Sequence, residues 1–369
     1  MARRVAILGT GLIGGSIGLR LRSFGAVAGG EDSRVVGYDR DRLAGIAARD
    51  RGAVDESAAT PGEAVRGCDV VVLATPVDAI EALCRELAAH VEPDAVVTDV
   101  GSAKAGVVAA GEDAFGAAFV GGHPMAGSER HGIEAADPHL FEDAWWILTP
   151  TAATSSNAYS RLAGLIQDLG AQPVALAPAL HDELVARLSH LPQLAASVLV
   201  EVASASEDRE SLLGLAGGGF RDVTRIAASD PGLWVSILRS NRLAVLHALE
   251  SYRGELEGIR DLIERDRWSE LHARLGRARR ARLELFAKPA FSGLPVTLSL
   301  VVPDRPGVLA EVTTAAGQLG ANIEDLRIIH STEGGRGRLE LVIAGKEAAE
   351  LLVGALLGLG YHVEREWVD

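Results

Sequence analysis

A short apolar run, VAIL (residues 5–8), leads directly into GTGLIG (residues 9–14) and then into a stretch of helical character. That order, strand, glycine turn, helix, is the context in which the GxGxxG pattern specifies a dinucleotide-binding layer rather than an ordinary turn. Gly9 permits the tight turn, Gly11 lets backbone amides approach a pyrophosphate, and Gly14 lets the helix pack closely on the strand. Leu12 and Ile13 open that helix, whose N-terminus attracts the phosphates. The second strand, VVGYD, ends at Asp39, where a carboxylate accepts hydrogen bonds from an adenosine ribose and repels a 2′-phosphate, so NAD is expected over NADP. Arg40 and Arg42 follow at once, placed to stack on adenine or to pair with a phosphate. Thr75 and Pro76 follow the strand VVVLA, at the carboxyl edge where such sheets bind ligands.

Alternating short β-branched runs and helical stretches continue to about residue 176, which specifies a doubly wound α/β layer. From Pro178 to Lys288 the periodicity is helical throughout. The segment KPAFSGLP reads as a linker, and the remainder spells β-α-β-β-α-β, a ferredoxin-like module. The expected fold is therefore α/β: a Rossmann-like domain over residues 1–176, an all-helical domain over 177–290, and a small α+β domain over 291–369. The helical domain, apolar on several faces, is expected to form a homodimer.

A length of 369 residues exceeds what one hydrophobic core normally serves. The net charge of −14 disfavours nucleic acid or an anionic membrane as partner, so an anionic ligand needs a local cluster of positive groups. The run RARRAR (Arg277 to Arg282) reads as a solvated helix face. Cys68 and Cys84, the only cysteines, stand in no metal or redox spacing. No metal site is expected. With no apolar stretch of membrane-spanning length and no leader pattern, a cytoplasmic location is expected.

Two polar clusters end later strands of the sheet. One is TDVGSAK, with Asp99, Ser102 and Lys104; the other is VGGHPMAGSE, with His123, Ser128 and Glu129. A histidine at a strand end beside a nicotinamide suits proton removal from a carbinol while hydride leaves. In the helical domain, Gly217, Gly218 and Gly219 introduce Arg221, Asp222 and Arg225. At i,i+4 spacing the two arginines offer guanidinium groups to one helix face, where they can hold a dianion or simply answer Asp222 and Asp230. His181 and His190, nine apart, fall on opposite faces of an ideal straight helix, so they are not expected to share a metal.

The set GTGLIGGSIG, DVGSAK, GGHPMAGSE, HDELVARLSHLP and GFRDVTRIAASDPGLW, in this order, resembles the prephenate dehydrogenase family, which includes arogenate and cyclohexadienyl dehydrogenases. The C-terminal module resembles ACT regulatory domains through PDRPGVLAEVT and GANIEDL. The resemblance implies NAD(P)-dependent oxidative decarboxylation on the route to tyrosine, with NAD the cofactor that Asp39 favours. It assigns His123 as the acceptor of the ring-hydroxyl proton, Ser102 as the group orienting that hydroxyl, and Arg225 as the clamp on a substrate carboxylate. Asp222 and Glu129 shape or gate the pocket, Trp234 stands near its wall, and His190, Gln193 and Gly218 line it. Where several family members carry SHLPH, this chain has SHLPQ, so Gln193 replaces a histidine near the substrate side chain. Prephenate is the expected substrate, with arogenate as the alternative. In the ACT module, Gly307, Val308, Asn322 and Ile323 are the positions implied for an amino-acid effector, with tyrosine the logical one, unless the module serves dimerisation alone. Two other readings compete: a catalytically silent NAD-binding amino-acid sensor, and a β-hydroxyacid-type dehydrogenase. A sensor needs no base and clamp together, and the β-hydroxyacid enzymes use a lysine that Pro178 to Trp234 lacks.

Overall fold

A computed structural model of the chain describes residues 4–23, 34–127, 130–205, 216–286, 295–303, 305, 307–330 and 336–366. The chain forms two compact units, residues 1–255 and 256–369.

The first unit is organised on an eight-stranded sheet of β1 (Arg4–Leu8), β2 (Arg34–Tyr38), β3 (Glu56–Ser57), β4 (Val70–Leu73), β5 (Val96–Asp99), β6 (Phe119–Pro124), β7 (Trp145–Thr149) and β8 (Gln172–Ala175). Their order across the sheet is β3-β2-β1-β4-β5-β6-β7-β8. Pairing is parallel except at β6–β7, where the sheet turns antiparallel before β8 pairs parallel to β7. The central strands carry apolar runs, Val5–Leu8 in β1, Val70–Leu73 in β4 and Val96–Val97 in β5, all buried because helices cover both faces of the sheet. The covering helices are α1 (Leu12–Ser23), α2 (Arg42–Asp50), α3 (Pro61–Val65), α4 (Val77–Leu87), α5 (Ala105–Phe115) and α6 (Ser156–Asp168). Two apolar cores result. One packs Ile17 and Leu21 of α1 and Leu162, Leu165 and Ile166 of α6 against the sheet. The other packs Ile80, Cys84 and Leu87 of α4 and Val107 and Val108 of α5 against its other face.

The helical segment comprises α7 (Pro178–Val185), a π-helical turn (Ala186–His190), α8 (Leu191–Ser204), α9 (Gly218–Thr224), a 3-10 turn (Arg225–Ala228), α10 (Pro231–Ser240), α11 (Arg242–Glu264) and α12 (Trp268–Phe286). Within the first unit α10 packs on α4, and α7 on α5, so the start of the helical segment shares a core with the sheet; Ile237 belongs to the α4–α5 core. The boundary between the units falls inside α11. Arg277 to Arg282 occupies exposed turns of α12, the solvated face that its composition predicts.

In the second unit, β9 (Pro295–Pro303), α13 (Val308–Gln318), β10 (Ile323–His330), β11 (Arg336–Ala344), α14 (Lys346–Gly358) and β12 (His362–Glu366) give the expected β-α-β-β-α-β order. The antiparallel sheet runs β10-β11-β9-β12 and packs Val312, Ala316, Leu352 and Leu356 of its two helices.

Two details depart from the sequence reading. The two-residue β3 is too short to show as a β-branched run. The path from His181 to His190 is no straight helix, because the π turn widens the spiral between them.

Candidate active site

The glycine turn has the geometry its chemistry requires. Gly9 sits at φ +100°, a conformation other residues rarely adopt, and a Cβ there would lie 2.3 Å from the Ala74 carbonyl oxygen. A Cβ on Gly14 would lie 2.0 Å from the Gly9 carbonyl oxygen. On Gly11 it would meet no protein atom within 4 Å. Gly11 therefore faces open space, and its lack of a side chain is a requirement of a ligand rather than of the fold. Leu12 and Ile13 follow as the first residues of α1, half-buried behind the turn.

A cavity of about 770 Å³ opens at this turn, lined by Gly9, Gly11, Asp39, Arg40, Thr75 and Pro76 and closed on one side by Asp230, Leu233 and Ser236 of the helical segment. Six of the nine expected cofactor positions thus meet in one space. The Asp39 carboxylate accepts from the Thr10 amide (2.9 Å) and hydroxyl (3.2 Å) and from the Asp41 amide (3.0 Å), which ties the end of β2 to the glycine turn. Thr75 Oγ1 and Ser236 Oγ are buried at its wall with no partner among the described residues. Such unpaired hydroxyls, a glycine cradle open to a ligand, and a carboxylate at the second strand end fit a dinucleotide.

At the carboxyl ends of β5 and β6 stands a buried polar network. Asp99 is fully buried and accepts from the amides of Gly101 (2.7 Å) and Gly122 (3.1 Å) and from Lys104 Nζ. Lys104 Nζ also donates to the Gly122 carbonyl (2.7 Å), fixing the backbone just before His123. Burial lowers the Lys104 pKa, opposed by the Asp99 and Asp182 carboxylates. Ser102 occupies the turn between Gly101 and Lys104, partly buried.

His123 Nδ1 lies 2.8 Å from His181 Nε2, with the two rings edge-on at 71°. His181 Nδ1 lies 2.8 Å from Asp182 Oδ1. Asp182 in turn accepts from the amides of Lys104 (2.7 Å) and Ala105 (2.8 Å) at the start of α5. Burial alone would raise the Asp182 pKa, but the hydrogen bonds from His181 and the two amides outweigh it and hold the carboxyl below its usual range. The His123 imidazole is held well below its ordinary 6.5, by burial first and then by the nearby His181, Lys104 and His190. It is therefore neutral at physiological pH and able to take a proton.

His190 is buried at the end of the π turn, its Nδ1 3.3 Å from Asn241 Nδ2 and its ring edge-on to Trp234 at 6.0 Å. Burial pushes its pKa down to about 4 against the pull of Asp182. Asn241 Nδ2 also donates to the Asp182 carbonyl (2.8 Å), so one amide joins both histidine segments. Gln193 is buried one turn on, its Oε1 without a partner among the described residues. Gly218, Asp222 and Arg225 are exposed on α9 and the following 3-10 turn, which pack on α8, and they take no part in the His123 network. Because α9 ends at Thr224, Arg221 and Arg225 do not share one regular α-helical face. Glu129 and its neighbour Ser128 lie outside the described residues, as does Pro306. In the ACT-like module Gly307, at φ +93°, caps α13, Val308 is buried, and Asn322 and Ile323 lie half-buried where β10 starts. Cys68 and Cys84 are buried, their thiols pushed up to about 11 and about 12 chiefly by burial, and neither is a nucleophile. Among the described residues no group of three or more His, Cys, Asp or Glu could hold a metal, and no helix is long and apolar enough to cross a membrane.

A doubly wound sheet with a glycine-turn cavity and a half-buried neutral histidine at its carboxyl edge defines an NAD-dependent dehydrogenase. Comparison with known proteins narrows the class. Residues 26–175 match the family model described as prephenate dehydrogenase, nucleotide-binding domain; 177–277 match prephenate dehydrogenase, dimerization domain; and 296–357 match the ACT domain. The chain is 35% identical to prephenate dehydrogenase of Bacillus subtilis (strain 168) over 350 residues, 92% of each chain. Among solved structures it resembles prephenate dehydrogenase from A. aeolicus in complex with hydroxyphenyl propionate and NAD+ (TM-score 0.71, 33% identity, 77% of this chain and 99% of that one). It also resembles Synechocystis arogenate dehydrogenase (TM-score 0.66, 31% identity, 76% and 98%). The chain belongs to the prephenate dehydrogenase family.

The glycine geometry yields opposite expectations for two neighbouring substitutions. Gly14→Ala should lower the melting temperature by about 4–8 °C in scanning calorimetry, because overpacking at this contact costs roughly 2 kcal/mol. Gly11→Ala should melt like the parent yet bind NAD at least about tenfold more weakly by titration calorimetry, having lost backbone access to the pyrophosphate. For His123 the sign is set by its depressed pKa: the neutral form is the active one and protonation comes only at lower pH. The acid limb of the kcat/KM profile should therefore fall below pH 6.5; a limb at or above that value would contradict the burial argument.

Proposed function

We propose that this protein oxidises prephenate with NAD, releasing carbon dioxide and 4-hydroxyphenylpyruvate. The observation that carries the reading is His123: neutral, half-buried, placed at the sheet edge, and engaged through Nδ1, with no partner on Nε2 among the described residues, so that Nε2 can face a substrate. NAD would be held by the Gly9–Gly14 turn, Asp39, Arg40, Thr75 and Pro76, and when bound supplies the acceptor for hydride from the hydroxyl-bearing ring carbon. His123 Nε2 takes the hydroxyl proton as that carbon becomes a carbonyl. The bond to the ring carboxylate then breaks, its electron pair enters the ring, and the resulting phenolate oxygen recovers the proton. No net proton is released: the histidine lends its site and returns the proton. Ser102, in the β5–α5 turn, is suited to orient the hydroxyl, and Arg225 to clamp a carboxylate. Asp222, Glu129, His190, Gly218 and Trp234 complete the pocket in this reading.

One observation favours a second substrate. The buried Gln193 Oε1 is an acceptor without a donor among the described residues, and the ammonium of arogenate would supply one where the keto group of prephenate cannot. The ACT module supports an amino-acid effector held near Gly307, Val308, Asn322 and Ile323, with tyrosine the logical choice. The matched dimerization domain and exposed apolar side chains on α8, α10 and α11, among them Leu243 at 79% exposure, support a homodimer. Two buried thiols and a freely exchanged nicotinamide cofactor suit the cytoplasm.

Initial-rate NADH formation with prephenate and with arogenate, each with and without tyrosine, tests the reading. A strong rate with prephenate that falls on adding tyrosine is expected; preference for arogenate would assign Gln193 its ammonium, and no rate with either would overturn the proposal. His123→Asn should lower kcat by about two to four orders of magnitude with NAD affinity retained. Arg225→Ala should raise the KM for substrate about tenfold or more with a smaller effect on kcat, and an unchanged KM would remove the clamp.

A further inference from the structure

We propose that His181 and Asp182 are positioning residues that lock His123 in the one tautomer able to act as base and stabilise the charge it acquires. The inference rests on the reading of His123 as the proton acceptor. Asp182 is ionised, with two backbone amides of the α5 N-terminus on its oxygens, and can only accept. The hydrogen in its 2.8 Å contact with His181 Nδ1 must therefore belong to the imidazole. With that hydrogen on Nδ1, the lone pair of His181 on Nε2 faces the second ring, so in the 2.8 Å contact between the rings His123 Nδ1 is the donor. That leaves the lone pair of His123 on Nε2. The chain Asp182, His181, His123 thus dictates which nitrogen can take a proton, as in other sites where a third group orients a base.

The same chain answers a problem of charge. His123 and His181 are surrounded by Lys104, held by Asp99, and by His190, itself kept neutral by burial. A second cation in that setting is costly unless an anion lies close. When His123 takes the substrate proton, its Nδ1–H bond to His181 and the His181 bond to Asp182 both become charge-assisted and strengthen. Because Asp182 is held below the usual carboxyl range, it stays ionised and does not carry the proton away. This suits a reaction in which the proton must return to the phenolate oxygen.

Two substitutions separate the links. His181→Asn places an amide where Nδ1 was, keeping a donor for Asp182 but falling short of His123. His181→Gln places an oxygen near the former Nε2 and can still accept from His123. With NAD and prephenate, His181→Asn should lose about 100-fold in kcat, with KM for prephenate and Kd for NAD moved less than threefold. His181→Gln should recover to within about tenfold of the parent. Added to His123→Asn, neither substitution should lower kcat further, since their effect passes through that ring. Equal losses in the two variants, additive losses in the double variants, or a parent-like His181→Asn would overturn the proposal. If His123→Asn turns over like the parent, the base assignment falls first and the relay with it; a crippled His123→Asn beside an unimpaired His181→Asn removes the relay alone. Should the variants fail to fold, nitrogen-15 spectra of the histidine-labelled parent decide: hydrogen on His123 Nδ1 at neutral pH is expected, and hydrogen on Nε2 overturns the assignment.

Discussion

The carboxylate of Asp182, lying against the first amides of α5, is the joint on which the site depends. It comes from α7, nearly eighty residues downstream of the turn it contacts, and it binds the helical segment to the carboxyl edge of the sheet. A buried carboxylate is expensive unless its lone pairs are met. Here two amides and an imidazole meet them, and the α5 N-terminus adds its dipole. Each charge-assisted bond is worth roughly 1.5–3 kcal/mol. The larger consequence is geometric, because the amides of Lys104 and Ala105 and the ring of His181 share one anchor, so the β5–α5 turn and α7 cannot shift independently.

A buried charge pair, Lys104 with Asp99, lies one layer closer to the sheet. Replacing a pair such as Lys104 and Asp99 with apolar residues often costs little stability, whereas removing one partner leaves an uncompensated charge. Its value here lies in what it fixes. Asp99 takes the Gly122 amide while Lys104 takes the Gly122 carbonyl, so the peptide before His123 is held from both sides. The base is thus oriented through its backbone by one pair and through its ring by His181. Catalytic geometry in a site like this depends on supporting groups whose own positions are over-determined.

The legible parts of the chain follow from local rules. VAIL followed by GTGLIG specified strand, turn and helix because each glycine answers a local steric demand that the structure bears out at Gly9 and Gly14. The alternation of apolar runs and helical stretches marked seven of the eight strands, and β-α-β-β-α-β appeared at the C-terminus as read. His123 stood out because its strand end is polar where an apolar run should finish. What sequence could not carry is anything made by pairing across distance. Asp182 looks like one more acid in an exposed helix, and Asn241 like a helix-end amide. Only the packing of α7 on α5 and of α10 on α4 brings them to the site.

The π turn lies between His181 and His190, which serve different parts of the site. Counting at 3.6 residues per turn sets them on opposite faces, and that is sound for a straight helix. With a wider turn between them both side chains are buried, and Asn241 donates to the Asp182 carbonyl next to one and lies 3.3 Å from Nδ1 of the other. Such turns give up regular hydrogen bonding within the helix and persist where side-chain contacts compensate. Here the compensation is visible: His181 reaches His123 on one side while His190 packs on Trp234 on the other. One segment thus ties the orientation of the base, through His181, to the wall beside Gln193, through His190.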